Sequence, residues 1–358
     1  MINTAEPLMV RYLHEKGAKE GIPVSGTFEL TDRCNFSCEM CYIHKNQRKE
    51  DPLTASDWIT LGGQAKNAGT VFLLLTGGEP LLREDFSEIY TALIKMGFVI
   101  SINTNGSLLG NYIELFKMFP PSRINVSLYG GSDDAYKRLC KRDCFDTVIS
   151  NIKKAQEAGL SVRLNSILTP ENCDDGKKIV DIANSMKLHL KPTAYSYPAL
   201  RADGTRAETA GRFTPEKAGE LIYNIDKYRF NEEYYNKRAE KILRTCPTDI
   251  GNKIRCRAGR SSYWITYEGK MLPCGMMDEP AEFPLRTDIL TAFGRIREKT
   301  DAIRLPEECR SCEFSDICSV CAAMCKAETG EFNKKPEYVC RMTKTIYSLT
   351  KKEKSNGD

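Results

Sequence analysis

No run of about 18 apolar residues occurs in this 358-residue chain, so it lacks the hydrocarbon length that a bilayer-spanning helix needs. The opening MINTAEPLMVRYLHEKGAKE also lacks the unbroken apolar core of a secretory signal, because Glu6, Arg11 and Glu15 interrupt it. A cytoplasmic protein with no membrane partner is expected. Charge of one sign is missing too: 52 basic against 48 acidic side chains leave a formal net charge of +4, too little for a domain-scale field that would hold nucleic acid. No internal repeat is visible.

Cysteine, by contrast, is abundant. Fifteen cysteines in a chain without an export signal should be reduced thiols, with metal ligation rather than a disulfide framework as their leading explanation. Three lie between Cys34 and Cys41, three are scattered at Cys140, Cys144 and Cys173, and nine fall between Cys246 and Cys340.

From residue 25 to about 197, the β-rich runs SGTFELT, VFLLLTG, FVISINTNG, RINVSLYG, LSVRLNSILT and LHLKPTAYSY alternate with amphipathic helix-length segments, most ending at glycine. Strands buried on both faces and joined by helices imply a parallel sheet with right-handed crossovers. Six such units predict an α/β fold, a partial (βα)6 TIM-like barrel, because a full eightfold barrel takes roughly 250 residues. The expected organisation is an N-terminal extension (1–24), the barrel core (25–200), a linker and helical segment (201–245) with the helical stretch at 214–243, a cysteine-rich domain (246–345) and a polar, solvated tail (346–358).

The stretch CNFSCEMCYIH puts Cys34, Cys38 and Cys41 directly after the first strand, at the end of the barrel where functional groups gather. Three thiolates around a four-iron, four-sulfide cluster leave one iron open for a ligand. Zinc, with His44 as a distant fourth ligand, is the alternative. The second strand ends in LLLTGGEP, whose glycines let a small ligand approach the backbone.

Cys-x3-Cys-x-Met-Cys followed about 35 residues later by Gly-Gly-Glu-Pro closely resembles the radical S-adenosylmethionine (SAM) superfamily. The resemblance implies that Cys34, Cys38 and Cys41 hold a 4Fe-4S cluster whose free iron is chelated by SAM. Gly77, Gly78, Glu79 and Pro80 would receive the SAM amino group, Asn103 the ribose, and Ser127 the carboxylate. Met40 stands where relatives carry an aromatic residue near the adenine, and a thioether can fill that space. Lys137, Arg138 and Lys141 are candidates for the basic partner of the SAM carboxylate. The implied chemistry is reductive cleavage of SAM to a 5′-deoxyadenosyl radical that abstracts hydrogen from a substrate, with an external donor such as flavodoxin or ferredoxin.

The C-terminal cysteines resemble the SPASM extension that carries two auxiliary 4Fe-4S clusters in many such enzymes. By order, Cys309, Cys312, Cys318 and Cys340 would hold the outer cluster. Cys256, Cys274 and Cys321 would hold the inner one, with Cys246 as a candidate fourth ligand and Cys325 as the alternative to Cys321. Cys140, Cys144 and Cys173 read as buried structural thiols. Asp278 is a candidate general base, its alternative being a solvated loop carboxylate. This architecture implies a peptide- or protein-modifying enzyme, with a small-molecule dehydrogenase or epimerase as the alternative. The few residues before the first strand leave no room for a leader-binding module there.

Overall fold

Each of the six expected β-runs forms a strand: β1 (Ser25–Glu29), β2 (Phe72–Thr76), β3 (Val99–Thr104), β4 (Arg123–Ser127), β5 (Val162–Ile167) and β6 (Leu190–Thr193). They were located in a computed structural model that describes residues 6–43, 50–198, 211–244 and 251–355. All six pair in parallel, in the order β6-β5-β4-β3-β2-β1. Helix α1 (Leu8–Glu20) precedes β1, and α2 (Ala55–Asn67), α3 (Phe86–Lys95), α4 (Ile113–Met118), α5 (Asp133–Cys140), α6 (Phe145–Glu157) and α7 (Gly176–Ser185) make the crossovers. The start of α2 is a capping box: Asp57 N–H donates to Thr54 Oγ1 (3.2 Å) and Thr54 N–H to the Asp57 carboxylate (2.8 Å).

The strands are not apolar on both faces, as parallel strands commonly are. One face, with Phe28, Leu75, Ile102, Val126 and Leu164, is fully buried beneath Trp58, Tyr90 and Phe116. The alternate positions are largely polar, with Asn103 opposite Asn125 and Asn125 opposite Arg163, although Leu74 and Ile167 share that face. A two-residue period places these on the inner face of the curved sheet, which is therefore a hydrophilic lumen.

The sheet also reaches beyond the expected core. Strand β7 (Ser262–Ile265) pairs in parallel with β1, and β8 (Met271–Leu272) pairs antiparallel with β7, giving eight strands. Residues assigned from sequence to the cysteine-rich domain thus complete the free edge of β1. Tyr263 fills the space over Gly26, where a Cβ would stand 2.6 Å from its ring, and Trp264 Nε1 donates to the Glu29 carboxylate (2.9 Å).

Two other segments differ from expectation. The 214–243 stretch is two helices, α8 (Pro215–Arg229) and α9 (Glu232–Leu243), because the Asn231 side chain accepts from Tyr234 N–H (2.9 Å) and starts a new helix. After α10 (Ile289–Ala302) and α11 (Ala322–Thr329), the supposed tail proves to be the end of α12 (Glu337–Ser355), which packs on α8. Glu353 accepts hydrogen bonds from Tyr223 (2.7 Å) and Tyr235 (2.5 Å) and pairs with Lys227. Although burial opposes it, this set of donors holds the carboxyl down at about 2. The lysines that read as a solvated end belong to an anchored helix. No helix among the described residues is long and apolar enough to cross a membrane.

His14 joins α1 to this frame, with Nδ1 3.0 Å from Ser261 Oγ and the ring stacked near Phe72. Burial, then the neighbouring Arg257, pushes its pKa down to about 4 from the ordinary 6.5. A base held neutral in the fold contributes stability that is complete above pH 6.5 and is lost as pH falls toward 4. The melting temperature of the wild type should therefore fall more steeply across that window than that of His14→Gln; equal slopes would contradict this.

Candidate active site

The loop after β2 lies directly against the loop after β1. Gly78 N–H donates to Thr31 O (2.8 Å) and Glu79 N–H to Arg33 O (2.9 Å). A Cβ at Gly77 would stand 2.6 Å from Thr31 O, and one at Gly78 would stand 2.3 Å from Arg33 O. The glycine pair is thus required by the protein's own backbone at the root of the cysteine loop.

Glu79 is completely buried, and it accepts from Leu81 N–H (3.1 Å), Thr104 Oγ1 (2.8 Å) and Asn105 N–H (2.7 Å). Burial raises its carboxyl to about 7 against the pull of these donors. Asn105, in the loop after β3, donates to Asn35 Oδ1 (2.9 Å), and its amide lies 3.8 Å from Cys34 Sγ. On the other side Ser37 N–H donates to Cys140 O (3.0 Å) and Glu39 N–H to Leu139 O (3.2 Å) at the end of α5. Below, Asp51 binds Thr31 Oγ1 and pairs with Arg33 (2.6 Å) and with buried Arg83 (3.5 Å).

Clamped in this way, Cys34, Cys38 and Cys41 line a cavity of about 280 Å³, together with Met40, Gly77, Gly78, Asn103 and Ser127. Tyr129 and Ile167 supply apolar wall, and Arg33 a cation. Burial pushes the Cys34 thiol up to about 12, and Glu79, Cys38 and Cys41 add to the rise. Crowded, desolvated thiols beside a buried carboxyl suit iron, whose positive charge favours the thiolate form. Three soft donors and a polar strand-end wall fit a three-thiolate cluster with SAM opposite. His44, the zinc alternative's fourth ligand, lies outside the described residues. Among the described residues, no three His, Cys, Asp or Glu side chains are placed to hold a single metal ion, whereas a cluster takes each thiolate on a different iron.

Several expected positions lie elsewhere. Glu79 and Pro80 do not line the cavity, because the Glu79 side chain turns to the end of β3. Nor do the proposed basic partners: Lys137 pairs with Asp143 (3.0 Å), Lys141 pairs with Glu39 (2.9 Å), and Arg138 donates to Glu171 O (3.0 Å). Among the described residues Arg33 is the cation in the cavity wall; its position next to Cys34 was the signal in the sequence. Asp278 is exposed and absent from the lining, as its solvated-loop alternative requires. Cys140 is wholly buried, while Cys144 and Cys173 are half-buried.

The C-terminal thiols gather in two neighbourhoods. Tyr197, just past β6, has its hydroxyl 3.8 Å from Cys321 Sγ. Its pKa is driven up by burial first and then by Cys321, Cys274 and Cys256. Cys309 is pushed up to about 11 by burial and then by Cys340, Cys318 and Cys312. Cys325 is wholly buried against Ile254, Leu305 and Ala322, and burial, then Cys309, Cys321, Cys340 and Cys318, pushes its thiol up, so it lies between the two neighbourhoods. Cys246 lies outside the described residues.

The radical SAM superfamily model matches residues 28–183. This segment therefore matches the radical SAM superfamily. Among curated relatives, a probable GTP 3′,8-cyclase of Saccharolobus solfataricus is 34% identical over 166 residues, 45% of this chain and 54% of that protein. The chain thus spans about half the length of that relative. A protein of the same name from Sulfurisphaera tokodaii is 28% identical over 77% of this chain and 88% of its own length. Streptococcus suis SuiB bound to precursor peptide SuiA superposes with a TM-score of 0.70 at 18% identity, covering 95% of this chain and 83% of that one. The enzyme anSMEcpe with bound AdoMet gives 0.69 at 13% identity, covering 93% and 99%. At such identities these structures show a shared fold. The fold shared with these structures therefore runs through nearly the whole chain, and its barrel carries the cysteine loop at the C-terminal strand ends.

Proposed function

We propose that this radical SAM enzyme modifies a peptide or protein side chain by oxidation or cross-linking. The observation that carries the reading is the thiol trio Cys34, Cys38 and Cys41 on one cavity wall, facing polar strand ends from β3 and β4. A cluster with one open iron and SAM bound supplies one-electron cleavage of a carbon–sulfur bond, hence a hydrogen-abstracting carbon radical, and auxiliary clusters supply an acceptor for a second electron.

The chain's own groups hold and orient. Gly77 and Gly78 bring backbone to the cavity, where the SAM amino group would sit. Asn103 and Ser127 line the same cavity and would meet the ribose and carboxylate, and Arg33 would offer the carboxylate a positive neighbour. Tyr129 and Ile167, with Met40, keep water from the reacting carbon. Cys309, Cys312, Cys318 and Cys340 would hold one auxiliary cluster, and Cys256, Cys274 and Cys321, with Cys246, the other. A flavodoxin or ferredoxin would deliver the electron.

Support for a peptide substrate comes from the shared fold with peptide-bound structures and from the cysteine-rich region beside the barrel mouth at Tyr197. A second reading, a small-molecule radical reaction, is favoured by the nucleotide in the names of the relatives. Anaerobic turnover with a candidate precursor peptide and with GTP, followed by mass spectrometry, separates the two. A peptide mass change supports the first, and loss of GTP without one replaces it by the second.

Because Cys325 lies in apolar packing and Cys321 faces Tyr197, Cys321→Ser should lower iron from about 12 to about 8 per chain after reconstitution. Cys325→Ser should leave it near 12. The reverse pattern would exchange their roles.

A further inference from the structure

The N-terminal approach to β6 lies at the end of the parallel barrel away from the cysteine loop. Here β6, α7, α8 and α9 enclose a second cavity of about 860 Å³, which shares no lining residue with the first. This is within the size range of small-molecule sites. Its described lining includes Lys187, His189, Lys191, Arg229 and Arg238, and no carboxylate.

The nearby acid, Asp226 of α8, is already engaged by Arg229 (2.8 Å) and Arg238 (2.5 Å). Behind the cavity, Arg123 and Arg163 at the starts of β4 and β5 reinforce the field. His189 is held below its usual value by burial, then by Arg163, Arg229, Lys191 and Arg123. The buried Nε atoms of Arg238 and Arg123 have no hydrogen-bond partner among the described residues. Lys187 adopts φ +54°, a turn that glycine would make without strain, yet an ammonium-bearing residue stands there at the cavity wall. Phe230 and Tyr234 add aromatic surface, their centroids 4.4 Å apart and their planes tilted by 41°; Arg229 lies 4.1 Å over the Phe230 ring, and Tyr234 is exposed.

Like charges concentrated around a cavity repel one another unless an anion joins them. We propose that this cavity binds a phosphorylated small molecule carrying a flat ring, at a site separate from the cysteine loop. The basic side chains would take the phosphate and the exposed Tyr234 ring the flat ring of the ligand. The proposal does not depend on the reaction assigned to the first cavity.

Calorimetry and histidine proton NMR on the full chain test it, with inorganic pyrophosphate and uridine 5′-diphosphate as probes and saturating SAM to block the first cavity. One site per chain is expected, with the His189 ring signal, assigned through its loss in His189→Gln, titrating at higher pH when the probe is bound and that of His14 unmoved. Lys187→Asn and Lys191→Gln, both at exposed positions, should each weaken pyrophosphate about tenfold or more. Tyr234→Ala should weaken the uridine probe and leave pyrophosphate unchanged. Absence of binding at millimolar probe, or binding indifferent to both lysine changes, overturns the proposal; equal loss of both probes in Tyr234→Ala overturns its ring component.

Discussion

Replacing Cys38 by Ala should leave a folded protein that has lost one four-iron cluster and makes 5′-deoxyadenosine from SAM at less than about one thousandth of the wild-type rate, the size of a barrier increase of ~4 kcal/mol or more. The expectation follows from the position of the thiol. Cys38 is the buried middle member of the trio and lines the same cavity as Cys34 and Cys41. The loop around it is held by backbone contacts to α5 and by the Asn35–Asn105 bond, none of which uses the Cys38 sulfur. Structure should therefore survive the change while the cluster does not. Iron and sulfide counts fix the first half and chromatographic detection of the nucleoside the second. Retained activity would remove Cys38 from the site.

Gly78→Ala should have the second large effect, and through geometry alone. The new methyl carbon would stand 2.3 Å from Arg33 O and 2.7 Å from Asp32 O, both backbone atoms that no side-chain rotation can clear. Separating the two loops breaks the bonds from Gly78 to Thr31 and from Glu79 to Arg33, and displaces the root of the cysteine loop. A cost of about 3 kcal/mol in stability is expected from such overpacking, together with incomplete cluster loading. Gly63, inside α2, is the control, since a Cβ there meets nothing within 4 Å. Gly63→Ala should stabilise by roughly 0.5–1 kcal/mol through helix propensity. Denaturant unfolding of the two variants compares them directly, and equal stabilities would contradict the packing argument.

The parts of the molecule that were legible in the sequence are those written in local code. Strands β1 to β6 announce themselves by β-branched runs that end in polar or glycine-rich turns, and the thiol trio follows the first of them at a telling spacing. What stayed hidden depends on partners far along the chain. Strand β7 is four residues long and exists because β1 offers a free edge some 235 positions earlier, where Trp264 finds Glu29. The end of α12 reads as loose lysines until Tyr223, Tyr235 and Lys227 are seen to converge on Glu353. The orientation of Glu79 was hidden for the same reason. Its motif is recognisable, but whether its carboxylate faces a ligand or the protein is decided by Thr104 and Asn105 on the next strand.

The polar lumen was equally concealed. Residues such as Asn103, Asn125 and Asn165 interrupt otherwise apolar strands, and only pairing shows that they share one face. That face leads from the cysteine loop into the barrel, which gives a substrate somewhere to lie while the packed outer face keeps the strands rigid.

The most direct test is electron–nuclear double resonance on anaerobically reconstituted, reduced protein given SAM with an ¹⁵N-labelled amino group. Coupling of that nitrogen to the cluster, present in the wild type and absent in Cys38→Ala, is the predicted result. A fully loaded, reduced cluster that shows no coupling to the label would contradict an open iron at Cys34, Cys38 and Cys41.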